Sequence, residues 1–338
     1  MKQQNLKGFE IDVPTSSAFN INTPKGLPKM HFIEVSVGKR GSGKTAGIVN
    51  QLKWLQDSKC LDRLFLVTPT YFSNKHFFYM VKYDPEDVYE NPNKASLDSI
   101  IEKINVEAEE YEDYIEKMKQ YKKYQKYLKT GRGFVDDDEL SQLWNGTEIV
   151  PPKHKWDGRK PVMLILFDDC QNSPIYRPSS ELANCVIRHR HLGQLRRSHG
   201  ALGVSMIFAV QSYKSAGGGL PRCVRGQATI MMIFRTKDVH ELDDIADECS
   251  GEVSVNTFKD VYEVAVSEPH SFLFIDFHKK DTDPSMFRMR FNKYLIPSEI
   301  EAEKRMKKIS PNGKEANAGG GKANGGVVPI RKEPPAGT

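Results

Sequence analysis

The chain has 338 residues, a formal net charge of +5, and 38% hydrophobic against 28% charged residues. That is an ordinary globular composition, with room for a sizeable core in one large α/β domain or two modest ones. No run of 18 or more apolar residues occurs, which excludes a membrane-spanning helix. The first residues, MKQQNLKGFEIDVP, lack an apolar core, so no secretory signal is expected. Cys60, Cys170, Cys185, Cys223 and Cys249 are scattered, with no CxxC pair. This argues for reduced thiols and against a zinc site.

In chain order, residues 1–30 are polar, with GFEIDV hinting at a short strand. Residues 31–37 (HFIEVSV) alternate and are β-branched, which predicts a strand. The glycine-rich run GKRGSGKT covers 38–45, and Ile48, Leu52 and Leu55 then recur at helical spacing over 44–57. Residues 63–68 (RLFLVT) predict a second strand.

Between 84 and 160 the pattern changes. Ile101, Ile104, Ala108, Tyr111, Ile115 and Met118 alternate in steps of three and four, a long amphipathic helix with a heptad-like stripe. Its first half is acidic and its second half basic, an order that suits the helix dipole. The stripe reads as a helical insertion packing on the core. An arm touching a neighbouring subunit or DNA is the sharper alternative.

Residues 162–167 (VMLILF), apolar throughout, suit a central parallel strand and run into Asp168-Asp169. A helix is expected over 180–192, with Ser180 as its N-cap. Strands follow at 203–210, ending on Gln211, and at 228–234. Helices near 238–248 and 256–266 and a strand at 271–277 close the pattern. Strands alternating with helices imply a mostly parallel sheet. The tail from 310 is rich in Gly, Pro and Ala and is expected to be disordered. The organisation expected is therefore an N-terminal extension at 1–30 and a core of 31–83 plus 161–297. The helical insertion fills 84–160, and a C-terminal helix with the low-complexity tail fills 298–338.

GKRGSGKT points to phosphate binding. Phosphates need many N–H donors in a tight arc, and Gly38, Gly41 and Gly43 let the backbone turn among Lys39, Arg40 and Ser42. Lys44 is placed to reach the β- and γ-phosphates, and Thr45 to ligate Mg²⁺. Asp168, delivered by an apolar strand, is the expected metal partner, and Asp169 is placed to polarise an attacking water. Gln211, at the tip of another strand, is a candidate γ-phosphate sensor.

Residues 182–237 contain no Asp or Glu and nine Arg or Lys, in a chain otherwise slightly acidic. Such a block predicts a polyanion partner. Arg225, then Arg188, are the candidates for an arginine acting in trans on a neighbouring subunit's nucleotide. Lys214, Arg196, Arg197 and Arg222 are the DNA-contact candidates. His189, His191 and His199 lack spaced partners and read as non-ligands.

The order of these features resembles the FtsK–HerA superfamily: P-loop, Asp-Asp strand, IRHRHLGQL, IFAVQSY, LPRCVR, then NTFKDVYEVAVSE before SFLFIDF. Within it, the chain looks like the genome-packaging ATPases of double-stranded DNA viruses and virophages, over about residues 30–80 and 160–290. The resemblance implies a RecA-like P-loop sheet in which the Gln211 strand separates the Asp168 strand from the P-loop strand. It also implies ATP and Mg²⁺ as cofactors, a homo-oligomeric ring, and hydrolysis that drives duplex DNA into a capsid. A capsid or portal vertex protein would be a further partner, and the location would be the host cytoplasm at the assembly site or the virion. A HerA-type or plasmid-transfer translocase is the alternative within the superfamily. A low-turnover ATP-dependent switch is an alternative outside the motor class, left open by Asp169 standing where many such ATPases carry Glu.

Overall fold

The computed structural model describes residues 21–301, apart from 132, 134, 135, 145, 147, 178–180, 215–218, 250 and 252. The expected N-terminal strand hint, the cap at Ser180 and the C-terminal tail lie outside the described residues.

Among the described residues nine strands form one sheet: β1 (Ile33–Val37), β2 (Arg63–Val67), β3 (Val88–Tyr89), β4 (Met163–Asp168), β5 (Val204–Val210), β6 (Ile230–Phe234), β7 (Phe272–Asp276), β8 (Phe287–Met289) and β9 (Lys293–Leu295). Their order is β3-β2-β4-β5-β1-β6-β7-β8-β9. Pairing is parallel from β3 through β6 and antiparallel from β6 through β9. The two strands carrying the phosphate loop and the paired acids thus stand one strand apart, with β5 between them, as the resemblance implies.

Helices cover both faces, so the central strands are buried throughout. On one face, α1 (Lys44–Asp57) seats Ile48, Leu52 and Leu55 against Leu64, Leu164 and Ile207, joined by Phe78 of α2 (Tyr71–Phe78). The other face is larger. There α3 (Lys94–Thr130) packs Leu97, Ile100, Ile104 and Ala108 onto the sheet, beside α5 (Leu182–Ile187), α7 (Val239–Glu248) and α8 (Val255–Ala265). Two further short helices are α4 (Asp137–Ser141) and α6 (Arg222–Arg225). No helix of the described residues is long and apolar enough to cross a membrane.

Two local differences from expectation have clear causes. The 180–192 helix stops at Ile187, followed by a 3₁₀ turn over His189–His191. The buried His189 ring explains the stop: its Nδ1 lies 2.8 Å from the Val186 carbonyl, which the helix would otherwise have used. Val88–Tyr89, assigned by sequence to the insertion, instead add an edge strand to β2.

α3 is rooted by buried carboxylates. Glu107 meets the Arg63 guanidinium at 2.6 Å, the Lys155 ammonium at 2.6 Å and the Trp156 indole at 3.0 Å. Five residues on, Glu112 accepts the backbone N–H groups of Arg196, Arg197 and Ser198 at 2.7–3.1 Å. Beyond Glu112 no α3 residue belongs to the core.

β1 carries one charge-capable group inside the sandwich. Glu34 is fully buried and accepts from Gln51 of α1 at 2.6 Å and from Ser36 at 2.8 Å. Burial pushes its carboxyl from 4.5 up to about 7, against the pull of those two hydrogen bonds. The folded chain therefore holds this proton more tightly than the unfolded one, so stability is lost as pH rises from 4.5 through about 7. Glu34→Gln should match the parent near pH ~5 and exceed it near pH ~9, by up to about 3 kcal/mol in urea unfolding.

Candidate active site

The turn between β1 and α1 is built by glycine. Gly41 and Gly43 adopt φ of 79° and 95°, the left-handed region that favours glycine. A Cβ on Gly38 would come within 2.5 Å of the Ser42 hydroxyl. Gly43 ends the loop with no side-chain cap, which leaves the first N–H groups of α1 open to a ligand. The Ser42 hydroxyl is buried without a partner.

Lys44 is 7% exposed, and its ammonium lies 3.4 Å from Asp169 Oδ1. Asp169 sits one residue past β4 at φ 53°, a backbone position that a non-glycine residue holds at a cost of about 1–3 kcal/mol. Its carboxylate also accepts the Gln211 amide at 3.2 Å. β5 thus delivers Gln211 beside the acid that β4 delivers. Gln171 braces that meeting: its Oε1 accepts the Gln211 backbone N–H at 2.7 Å, and its amide reaches the Ser212 carbonyl at 3.0 Å.

Asp168 is the electrostatic centre of the site. It is 1% exposed, and no hydrogen bond reaches either carboxylate oxygen. Burial pushes it up to about 6 and Asp169 adds to the rise, while Lys44 and the nearby Asn74 oppose it. A buried carboxylate without a partner is a costly arrangement unless a cation completes it. The residues therefore fit Mg²⁺, with Asp168 and Thr45 as its holders, and the glycine arc fits a nucleotide's phosphates.

The cavity over these groups has a volume of about 1040 Å³. Lys44, Thr45, Asp169 and Gln211 line it, as do four residues that the sequence reading did not single out: Thr70, Asn74, His270 and Arg290. Asn74 comes from α2, whose Thr70 accepts its amide at 3.1 Å. His270, before β7, lies against Gly43. Arg290, in the β8–β9 turn, is held by Glu268 at 3.0 Å.

The fold is that of a P-loop NTPase. No protein-family model matches the sequence, and no curated protein matches it. Among solved structures, the genome packaging NTPase B204 of Sulfolobus turreted icosahedral virus 2, in complex with AMP, is similar at 14% identity, with 73% of this chain and 92% of that chain covered and a TM-score of 0.36. The pCW3 conjugation coupling protein TcpA with ATPγS is similar at 14% identity, with 82% and 65% covered and a TM-score of 0.34. EssC (ATPases 2 and 3) from Geobacillus thermodenitrificans is similar at 12% identity, with 83% and 45% covered and a TM-score of 0.32.

The predicted arginines and lysines fall elsewhere. Arg225 is turned inward: its guanidinium lies over the Tyr213 ring at 5.2 Å and 3.5 Å from Glu248, with 12% of the side chain exposed. In this fold its side chain is thus largely enclosed by its own chain. Arg188 is exposed, but it adjoins His189, whose Nε2 is 3.4 Å from the His31 carbonyl ahead of β1. That places Arg188 at the end of the sheet opposite the phosphate loop. The basic block is also less free than its sequence implies. Lys214 pairs with Asp244 and Glu248, both at 3.1 Å, and Arg197 pairs with Asp113. Acids of α3 and α7 thus pair with three of the nine basic residues of a stretch that holds none itself. Arg196 and Arg222 are exposed. Lys39 reaches Glu241 at 3.7 Å, and Arg40 is exposed at the loop's edge.

Replacing Asp168 with Asn removes an uncompensated buried charge. The ligand-free variant should be more stable than the parent near neutral pH, by about 1–3 kcal/mol. It should also lose the added thermal stability that Mg²⁺ with a non-hydrolysable ATP analogue gives the parent. A ligand-free variant less stable than the parent would contradict this electrostatic account.

Proposed function

We propose that this protein hydrolyses ATP and uses the energy to move duplex DNA, as the motor that packages a viral genome into a capsid. The observation that carries hydrolysis is the unpartnered Asp168 carboxylate, next to an Asp169 that meets both Lys44 and Gln211 at the mouth of the cavity. The motor reading is supported by the motif order that resembles the FtsK–HerA superfamily, and packaging by its likeness to the viral branch.

The residues divide the work. The main-chain N–H groups that the loop leaves open up to Lys44 bind the phosphates, and Lys44 moves from Asp169 to the β- and γ-phosphates as they enter. Mg²⁺, when bound, neutralises charge on the phosphate oxygens. Asp168 and Thr45 would hold it. Gln211 orients a water in line with the γ-phosphorus. That water's oxygen bonds to phosphorus, the bond to the ADP oxygen breaks, and a carboxylate oxygen of Asp169 accepts the released proton. Arg290, already facing the cavity, meets charge developing on the phosphates.

ATPase assays with and without duplex DNA test the motor. The parent should turn over ATP and be stimulated by duplex, and Lys44→Ala should abolish both activities. Turnover indifferent to DNA would favour the low-turnover switch. Arg290→Ala should lower kcat by about tenfold or more. Arg225→Ala, removing an inward-facing guanidinium, should act mainly on thermal stability. A larger kcat loss for Arg225→Ala than for Arg290→Ala would reverse that assignment.

A further inference from the structure

We propose that the C-terminal half of α3 is the surface that grips duplex DNA, an inference that rests on the translocase reading above. Residues 117–130 contain six lysines and no acid. Lys119, Lys122, Lys126 and Lys129 follow in steps of three, four and three. At about 100° per residue, that spacing gathers all four within an arc of about 80°, a ridge along one face. All four are exposed, and none forms an ion pair among the described residues. Lys123, just off the ridge, shows what pairing looks like here: it meets Glu139 of α4 at 3.1 Å.

Part of the basic block at 182–237 behaves differently. That block is acid-free in sequence, yet Lys214, Arg197 and Arg225 meet acids across space. The α3 ridge has kept its charge. It also stands clear of the core, because the last buried residue of the helix is Glu112.

The dimensions suit a duplex. Ten residues of helix from Lys119 to Lys129 span about 15 Å, and duplex DNA carries about nine phosphates over that length. A helix about 10–12 Å across also matches the roughly 12 Å width of the major groove. A membrane surface fits less well, because helices that lie on lipid need a broad apolar face. Here Lys117 and Gln120 share the opposite side with Tyr121 and Tyr124.

The test uses the full chain with Lys119, Lys122, Lys126 and Lys129 all changed to Gln, and a companion with all four changed to Arg. Anisotropy of a labelled duplex across a salt series is read beside basal and DNA-stimulated ATPase. The glutamine set should bind about tenfold or more weakly near 0.1 M salt, and its log–log salt slope should be shallower by about 3–4. Basal turnover should be unchanged, DNA stimulation lost, and the arginine set should bind as the parent does. Parent-like affinity and slope in the glutamine set would overturn the proposal. So would a changed oligomeric state with DNA affinity intact, which would make the ridge a subunit contact. If the parent itself fails to bind duplex, the translocase reading falls together with the ridge. If the parent binds and the substitutions change nothing, the ridge alone falls.

Discussion

The rest of the site is arranged around one unresolved charge. Asp168 ends a wholly buried strand with both oxygens unpaired. A folded chain keeps such a group only where a ligand completes it or where its cost is offset elsewhere. The offset is visible in the sheet. β4 is flanked by β2 and β5 along its whole length, and its Phe167 stacks on Phe208 at 4.8 Å between ring centres. The strand cannot withdraw its end from the site without breaking those pairings. The left-handed turn at Asp169 is held by the same frame, through the Ala209 carbonyl and the Gln211 amide.

The parts of the site legible in the sequence are those whose chemistry is local. GKRGSGKT is one turn between one strand and one helix, and its glycine positions follow from the backbone it must adopt. VMLILFDD and IFAVQSY are strand ends, so an apolar run followed by a polar residue locates them. The parallel sheet follows from the same alternation. Asn74, Gln171, His270 and Arg290 carry no such signal. Each sits in an unremarkable stretch and enters the site because a different element folds over the phosphate loop. The inward turn of Arg225 likewise depends on Tyr213 and Glu248, neither of which its neighbours in sequence reveal.

Charge blocks taught the same lesson in reverse. A window without acids looks like a free cationic surface only if nothing from elsewhere reaches it. Here α3 contributes Glu112 and Asp113, and α7 contributes Asp244 and Glu248. The division of α3 into an acidic first half and a basic second half therefore does more than suit the dipole. Glu107 and Glu112 of the acidic half root the helix on the core, and the basic half is left outside it.

The way α3 is rooted also has a mechanical side. Glu107 ties the helix to Arg63 at the start of β2, and β2 is the direct neighbour of the strand that ends in Asp168. From Glu112 to Thr130 the helix runs on for about 27 Å as a single stiff rod. A rod clamped at one end multiplies small rotations: about 5° at the clamp displaces the tip by about 2 Å. Any change of sheet twist that accompanies phosphate entry or release thus has a built-in pointer, and its needle is the end of α3.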